Sequence, residues 1–290
     1  MASVKDLRER IRSFKNTQQI TKAMKQVAAA KIRRAETAQK AARPYSETLS
    51  EMLRDLMTSV GTVDHPFMKP GSAQAPAGVI LMTADKGLAG AFNSNITRAA
   101  EIFLRDHPQV TFYSVGLKAR NFVRRRGASD HATWALGTGS KIEVARELAQ
   151  RVTDDFTNAK IAGITLISSK LVSMLSQKPQ TQALVPIVPG ELVALDERKS
   201  GPKGAVEFSP SPEAVLSRLL PKYLEFTLFS AMLETDAAFF AAQLLAMSNA
   251  TENAGKLIDE LTIKMNNARQ AAITKELLEI VGGAEALSST

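Results

Sequence analysis

Residues 244–272 read LLAMSNATENAGKLIDELTIKMNNARQAA. Leu244, Met247, Thr251, Ala254, Ile258, Leu261, Met265, Ala268 and Ala272 recur at alternating intervals of three and four, the period that keeps one helix face turned toward a partner helix. Thr251, Ala254, Ala268 and Ala272 are small, so a second backbone can approach closely, while the larger seam residues supply buried area. The stretch belongs to a longer one. After Pro210, Ser211 and Pro212, which suit a helix start, the chain runs to Val281 with Gly255 as its only glycine. At about 1.5 Å per residue such a helix would span on the order of 100 Å, far longer than a compact domain of this size.

The other end of the chain is similar. From Ser3 to about Met57 there is no glycine and one proline, Pro44, which is expected to kink the helix or end a segment. Val4, Leu7, Ile11 and Phe14 follow 3-4-3 spacing, and after a phase break Ile20, Met24 and Val27 are read as resuming it. Each terminal helix carries one stripe and neither would persist alone in water. The two are therefore predicted to pack on each other, antiparallel or nearly so, as a rod.

The middle, roughly residues 74–208, has a different rhythm. Gly78–Thr83, Val110–Val115 and Ile161–Ser168 read as strands, and a fourth is expected at Gln182–Val188. Asn93–His107, Lys118–Arg126 and Ser140–Asn158 read as helices, the last capped by Ser140. Alternation of this kind predicts an α/β domain with a small, mostly parallel sheet. Residues 189–208 read as a loop or mobile hairpin. The expected organisation is an N-terminal coiled-coil helix over 1–60, an α/β globular domain over 61–208 and a C-terminal coiled-coil helix over 209–290.

Charge divides unevenly along the 290 residues. The net +8 is the sum of 12 basic and 3 acidic side chains in residues 1–43 and a nearly balanced remainder. A partner that uses the charge must meet the N-terminal helix, through Lys22, Lys25, Lys31, Arg33, Arg34, Lys40 and Arg43. No aromatic lies between Phe14 and Tyr45 to stack on bases, which weakens a nucleic-acid reading. The chain has no cysteine, and its three histidines are isolated, so disulfides, thiolate chemistry and zinc sites are not expected. The longest uncharged stretches, residues 70–84 and 237–251, are short of the roughly 20 apolar residues of a membrane span. Residues 1–30 lack the apolar core of a signal peptide. The chain is expected to stay in the cytosol, attached to a partner.

The strand-to-helix turn Asp85–Asn93, DKGLAGAFN, is where phosphate loops sit in α/β folds. It has neither GxGxxG nor GxxxxGK[ST] spacing, and a structural tight turn is the favoured reading. Asp154-Asp155 and Asp259-Glu260 are sequence neighbours on helices, so their side chains diverge. Met232, Phe239, Phe240, Met247 and Met265 read as packing residues.

Two segments nevertheless carry a specific likeness. ITKAMKQVAAAKIRRA (Ile20–Ala35) and NARQAAITKELLEIVGGAEAL (Asn267–Leu287), the latter with Ile273, Thr274, Glu276, Glu279, Gly283 and Ala284 at I-T-x-E-x-x-E-x-x-x-G-A spacing, resemble the signatures of the gamma subunit of F-type ATP synthases. DKGLAGAFNSN (Asp85–Asn95) is similar to that family's DRGLCGGFNSN-type turn, with Lys86, Ala89 and Ala91 as departures. The resemblance implies a rotor shaft: a long antiparallel coiled coil inside the hexamer of alpha and beta subunits, with a Rossmann-like middle domain as the foot on the membrane c-ring. It further implies an epsilon-subunit partner and a peripheral position on the cytoplasmic face of a bacterial inner membrane. It implies no catalytic role, because ATP is made on the beta subunits, and no cofactor. By motif position, Arg269, Gln270, Thr274 and Glu276, with Lys22, Met24 and Lys25, would meet beta-subunit loops. Phe208 would meet the ring, beside Ser209 where the family usually has an acid, and Gln243 stands where many members carry Arg. The rival readings are a nucleotide-binding α/β enzyme using the Asp85–Asn93 turn and a basic coiled-coil or nucleic-acid scaffold.

Overall fold

A computed structural model describes residues 3–60, 65–128, 130–137, 139–187 and 211–288. The chain opens with helix α1 (Val4–Val60) and closes with α5 (Pro212–Ser288). Between them come a 3-10 turn (Pro66–Met68), β1 (Ala77–Met82), α2 (Phe92–Asp106), β2 (Val110–Val115), α3 (Leu117–Arg125), β3 (Asp130–Trp134), α4 (Lys141–Thr157), β4 (Ile164–Ser173) and β5 (Ser176–Val185). Contacts divide the chain into two units, one of residues 1–28 with 244–290 and one of residues 29–243.

In the second unit the five strands form one sheet in the order β3-β2-β1-β4-β5. The first four are parallel, and β5 pairs antiparallel with β4. Strand β1 is central and covered on both faces, which explains its unbroken apolar run. Its residues alternate between faces. Ile80 and Met82 join a core with Leu148 and Val152 of α4, Leu49, Leu53 and Leu56 of α1, and Leu216, Leu220 and Met232 of α5. Val79 and Leu81 join a second core with Ile96 of α2, Phe122 and Val123 of α3, and Phe239 of α5. Part of α5 is apolar enough to match a membrane span by composition, and half of that stretch is buried inside the fold, as befits a core helix.

Several local expectations need correction. Helix α1 continues through Pro44; the proline is exposed, so the Lys40 carbonyl that loses its amide partner can bond to water. Helix α5 runs beyond Val281 through two glycines to Ser288. Ser140 occupies the cap position of α4, but its hydroxyl makes no capping bond. Strand β4 begins at Ile164 and continues through polar residues to Ser173, and β5 is likewise displaced toward the polar side of its expected span. Strand β3 escaped the sequence reading because it is a short, polar edge strand, DHATW, with no fully buried residue. The expected loop at 189–208 lies outside the described residues.

Candidate partner surface on the terminal helices

In the unit of residues 1–28 and 244–290 the two helices run antiparallel. The Lys25 ammonium donates to the Ser248 hydroxyl at 3.1 Å, the Thr251 hydroxyl donates to the Thr21 hydroxyl at 2.8 Å, and the Gln18 amide donates to the Thr251 carbonyl at 3.4 Å. On α5 the seam read from sequence is in place, with Met247, Ala254 and Ile258 buried; its last position, Ala272, is exposed.

On α1 the seam differs from the sequence reading. Leu7, Ile11, Thr21 and Ala28 are buried, with Val4, Phe14 and Gln18 half-buried, so 3-4 spacing continues without the expected phase break. Ile20 and Val27 instead face outward, 61% and 55% exposed. Hydrophobicity misled here because the seam uses a threonine, a glutamine and an alanine. Thr21 and Gln18 fit beside Thr251 and Gly255, where a Cβ added to Gly255 would lie 3.0 Å from Gln18 Nε2.

The seam fixes what is left uncovered. With Thr21 opposite Thr251, the start of α1 at Val4 lies opposite about residue 268, because both helices rise about 1.5 Å per residue. Beyond that point α5 has outrun α1. Residues 269–282 are all exposed, among them Ile273, Leu277, Leu278, Ile280 and Val281. Five large apolar side chains on one bare helical end mark a surface made to be covered.

The sequence-picked residues distribute over this unit as follows. Arg269, Gln270, Thr274 and Glu276 share the exposed end, where the Thr274 hydroxyl donates to the Gln270 carbonyl at 3.0 Å. Lys22 is exposed, Met24 is half-buried beside the seam, and Lys25 is exposed with its ammonium on Ser248. The exposed Ile20 and Val27, which share a face of α1 turned away from the seam, are further candidate contact residues that the sequence reading missed by assigning them to the stripe. Gln243 belongs to the other unit and is half-buried. Phe208 and Ser209 lie outside the described residues.

In the sheet-bearing unit, the Asp85–Asn93 turn is built as a brace. The Asp85 carboxylate accepts backbone N–H bonds from Leu117 at 2.9 Å, Leu136 at 3.3 Å and Gly137 at 2.6 Å. It thereby ties together the segments that follow β1, β2 and β3. Asn93 accepts from the Ala84 N–H at 3.1 Å and donates to the Lys86 carbonyl at 3.1 Å. Gly116, at φ +94°, could not bear a side chain, since a Cβ would strike the Thr83 carbonyl.

A second polar cluster surrounds the buried Asp155. It accepts from the Tyr113 hydroxyl at 2.9 Å and Lys160 at 3.2 Å, with Arg151 at 3.2 Å and His131 at 3.0 Å. Burial alone would raise its pKa, but the Tyr113 and Lys160 hydrogen bonds with the His131 and Arg151 charges outweigh burial and hold it below the ordinary carboxylate value. Burial pushes Asp236 the other way, up, against the opposing pull of Lys141 at 3.1 Å. Both clusters join elements of one unit and hold their carboxylates in hydrogen bonds and ion pairs.

Comparison with known proteins agrees with the helix geometry. The sequence model of a family described as ATP synthase matches residues 3–287. The ATP synthase gamma chain of Desulforamulus reducens is 44% identical over 288 residues, covering 99% of this chain and 100% of that one. That of Phenylobacterium zucineum is 40% identical over 294 residues, with the same coverage. Among solved structures, a chain of the Euglena gracilis mitochondrial ATP synthase, in an assembly described as OSCP/F1/c-ring, superposes with a TM-score of 0.67 at 19% identity, covering 98% of this chain and 94% of that one. A chain described as belonging to the rotor of the same enzyme gives a TM-score of 0.64 at 18% identity, covering 93% and 98%.

Proposed function

The chain belongs to the ATP synthase gamma-chain family, and from that premise we propose that it is the non-catalytic central-stalk rotor of a proton-translocating F-type ATP synthase. It works on the side of the membrane that carries the catalytic head, the cytoplasmic face in a bacterium. Its partners are the alpha and beta subunits of the hexamer, the epsilon subunit and the c-ring.

The observation that carries this reading is the bare end of α5. The Thr21–Thr251 register leaves α5 protruding beyond α1, with Ile273, Leu277, Leu278, Ile280 and Val281 exposed. The aliphatic side chains of this end can slide within a surrounding collar because they make no directed bond, while Arg269, Lys275, Glu276 and Glu279 are the charged groups interspersed among them. Two helices packed through a seam resist bending better than either would alone, which suits a shaft under torque. Farther along the same unit, Lys22 and Lys25 present exposed positive charge on α1. An asymmetric shaft meeting acidic loops favours a different conformation in each catalytic subunit as it turns. That is a population shift driven by differential contact. Arg269, Gln270, Thr274 and Glu276 are the proposed polar contacts with beta-subunit loops, and Phe208 the proposed contact with the ring.

Affinity purification of the tagged chain from native membranes tests the proposal. The expected result is recovery of an ATPase-active hexamer together with the membrane ring. Recovery of the intact chain alone, or with nucleic acid and no ATPase, would overturn it in favour of the scaffold reading.

A further inference from the structure

The near balance of charge over residues 44–290 conceals a second basic element. Helix α3 and the residue after it carry Lys118, Arg120, Arg124, Arg125 and Arg126 with no acidic residue between them. Spacing of three and four places Lys118, Asn121 and Arg125 on one helical face. That face and Arg124 form one wall of a cavity of about 540 Å³. The facing wall is the glycine-bearing turn before α2 and the first turns of α2, including Gly90 and Ser94. No carboxylate lines the cavity.

The fold supplies acids where it needs them nearby. Arg126, on the same helix, pairs with Glu101 at 3.3 Å and lies over the Phe122 ring. Among the described residues neither Lys118 nor Arg124 has such a partner, and Arg125 bonds only to the Asn121 carbonyl, at 3.2 Å. Three like charges around one concavity repel one another unless an anion enters. The volume falls within the range of small-molecule sites, on the order of 300–1,000 Å³, which favours a compact ligand over the flat face of an acidic protein. Two guanidinium forks and an ammonium match the oxygens of a phosphoryl group. The opposite wall is compatible with the same ligand: Ala91 gives α2 no side-chain cap, so no capping side chain competes with it at the start of α2.

We propose that this cavity between α2 and α3 is a binding site for a multivalent phosphoryl anion, either free polyphosphate or the phosphate chain of a nucleotide. The site is non-catalytic, because Asp85, the one carboxylate of the adjoining turn, is committed to three backbone N–H groups. The inference stands independently of the rotor reading.

Calorimetric titration of the full-length chain with inorganic tripolyphosphate, at fixed ionic strength, tests it. One saturable site is expected, weakened at least about tenfold in Lys118→Gln/Arg124→Gln and changed less than about twofold in Arg33→Gln/Arg34→Gln, which removes equal charge from α1. Ser94→Glu, which puts a negative charge on the facing wall, is expected to weaken it comparably, and matched thermal unfolding of each variant verifies folding. ATP binding as tightly as tripolyphosphate assigns the site to the phosphate chain alone, and ATP binding at least about tenfold tighter assigns it to a nucleotide. Absence of saturable binding, or equal weakening by the α1 and α3 variants, would overturn the proposal.

Discussion

The hydroxyl of Thr251 donates to that of Thr21 at 2.8 Å across two helices 230 residues apart in sequence. This polar rung marks the register of an otherwise largely apolar seam; each hydroxyl also reaches a carbonyl of its own helix, Thr21 that of Gln18 at 3.1 Å and Thr251 that of Met247 at 2.7 Å, so neither is unsatisfied beside its apolar neighbours. Hydroxyls within bonding distance bring the Cβ atoms near the separation that a disulfide needs. In a chain with no native cysteine, Thr21→Cys/Thr251→Cys should therefore cross-link within the chain on oxidation. Thr21→Cys/Ile258→Cys, displaced by about 10 Å along the helix, should not. Mobility on a non-reducing gel reads the result, and the reverse pattern would refute the register.

How legible this was depends on which residues carry the seam. On α5 Leu, Met and Ile recur often enough among the small seam residues for sequence spacing to find the seam. On α1 it passes through Gln18, Thr21 and Ala28 while Ile20 and Val27 face out, so an argument from hydrophobicity follows the wrong residues. The central strands β1 and β2 were readable because both are buried. Strand β3 was not, being a polar edge. The role of Asp85 was invisible for another reason: its three donors lie 32, 51 and 52 residues away, and no local pattern records a bond that topology alone creates. The basic wall of α3 disappeared in an average.

Asp85 accepts three backbone N–H groups from two separate chain segments. Hydrogen bonds to a charged acceptor contribute about 1.5–3 kcal/mol each, less where water can replace the acceptor. Leu117 and Gly137 are exposed enough for such replacement. Asp85→Ala should therefore destabilise the sheet-bearing unit by about 2–4 kcal/mol, read as a lower urea midpoint. Asp85→Asn, which keeps an acceptor oxygen, should lose less. Equal loss in the two variants would show that the accepted bonds are not what matters.

The depressed pKa of Asp155 makes stability depend on pH with a definite sign. A carboxyl whose folded-state pKa lies below its unfolded value, about 3.9, contributes its full stabilisation above that value. The contribution is lost as pH falls through the folded-state pKa. Asp155→Asn removes the charged acceptor of the Tyr113 hydroxyl and of Arg151 and Lys160, two cations that are about half exposed and can turn to water, so at pH 7 it should be less stable than the parent by about 1–3 kcal/mol. That gap should narrow as the pH is lowered below about 4. Urea unfolding of both proteins at pH 7 and pH 3 measures it, and a gap of constant size would contradict the assignment.

Charge on α1 is the remaining lever. Lys22, Lys25 and Arg34 are exposed, and exposed charges contribute about 0–1 kcal/mol to folding. Their attraction for acidic loops nevertheless reaches about 8–10 Å at physiological ionic strength. Replacing all three by Gln should leave the chain folded and assembled, at most weakened by loss of the Lys25–Ser248 bond. If the rotor reading is right, it should also loosen the grip between shaft and hexamer. In inverted membrane vesicles, ATP hydrolysis should continue while proton pumping per ATP falls, and raising the salt concentration should move the parent enzyme toward the variant. Unaltered pumping per ATP in a normally assembled variant would show that the positive face is solvated and does not guide the shaft.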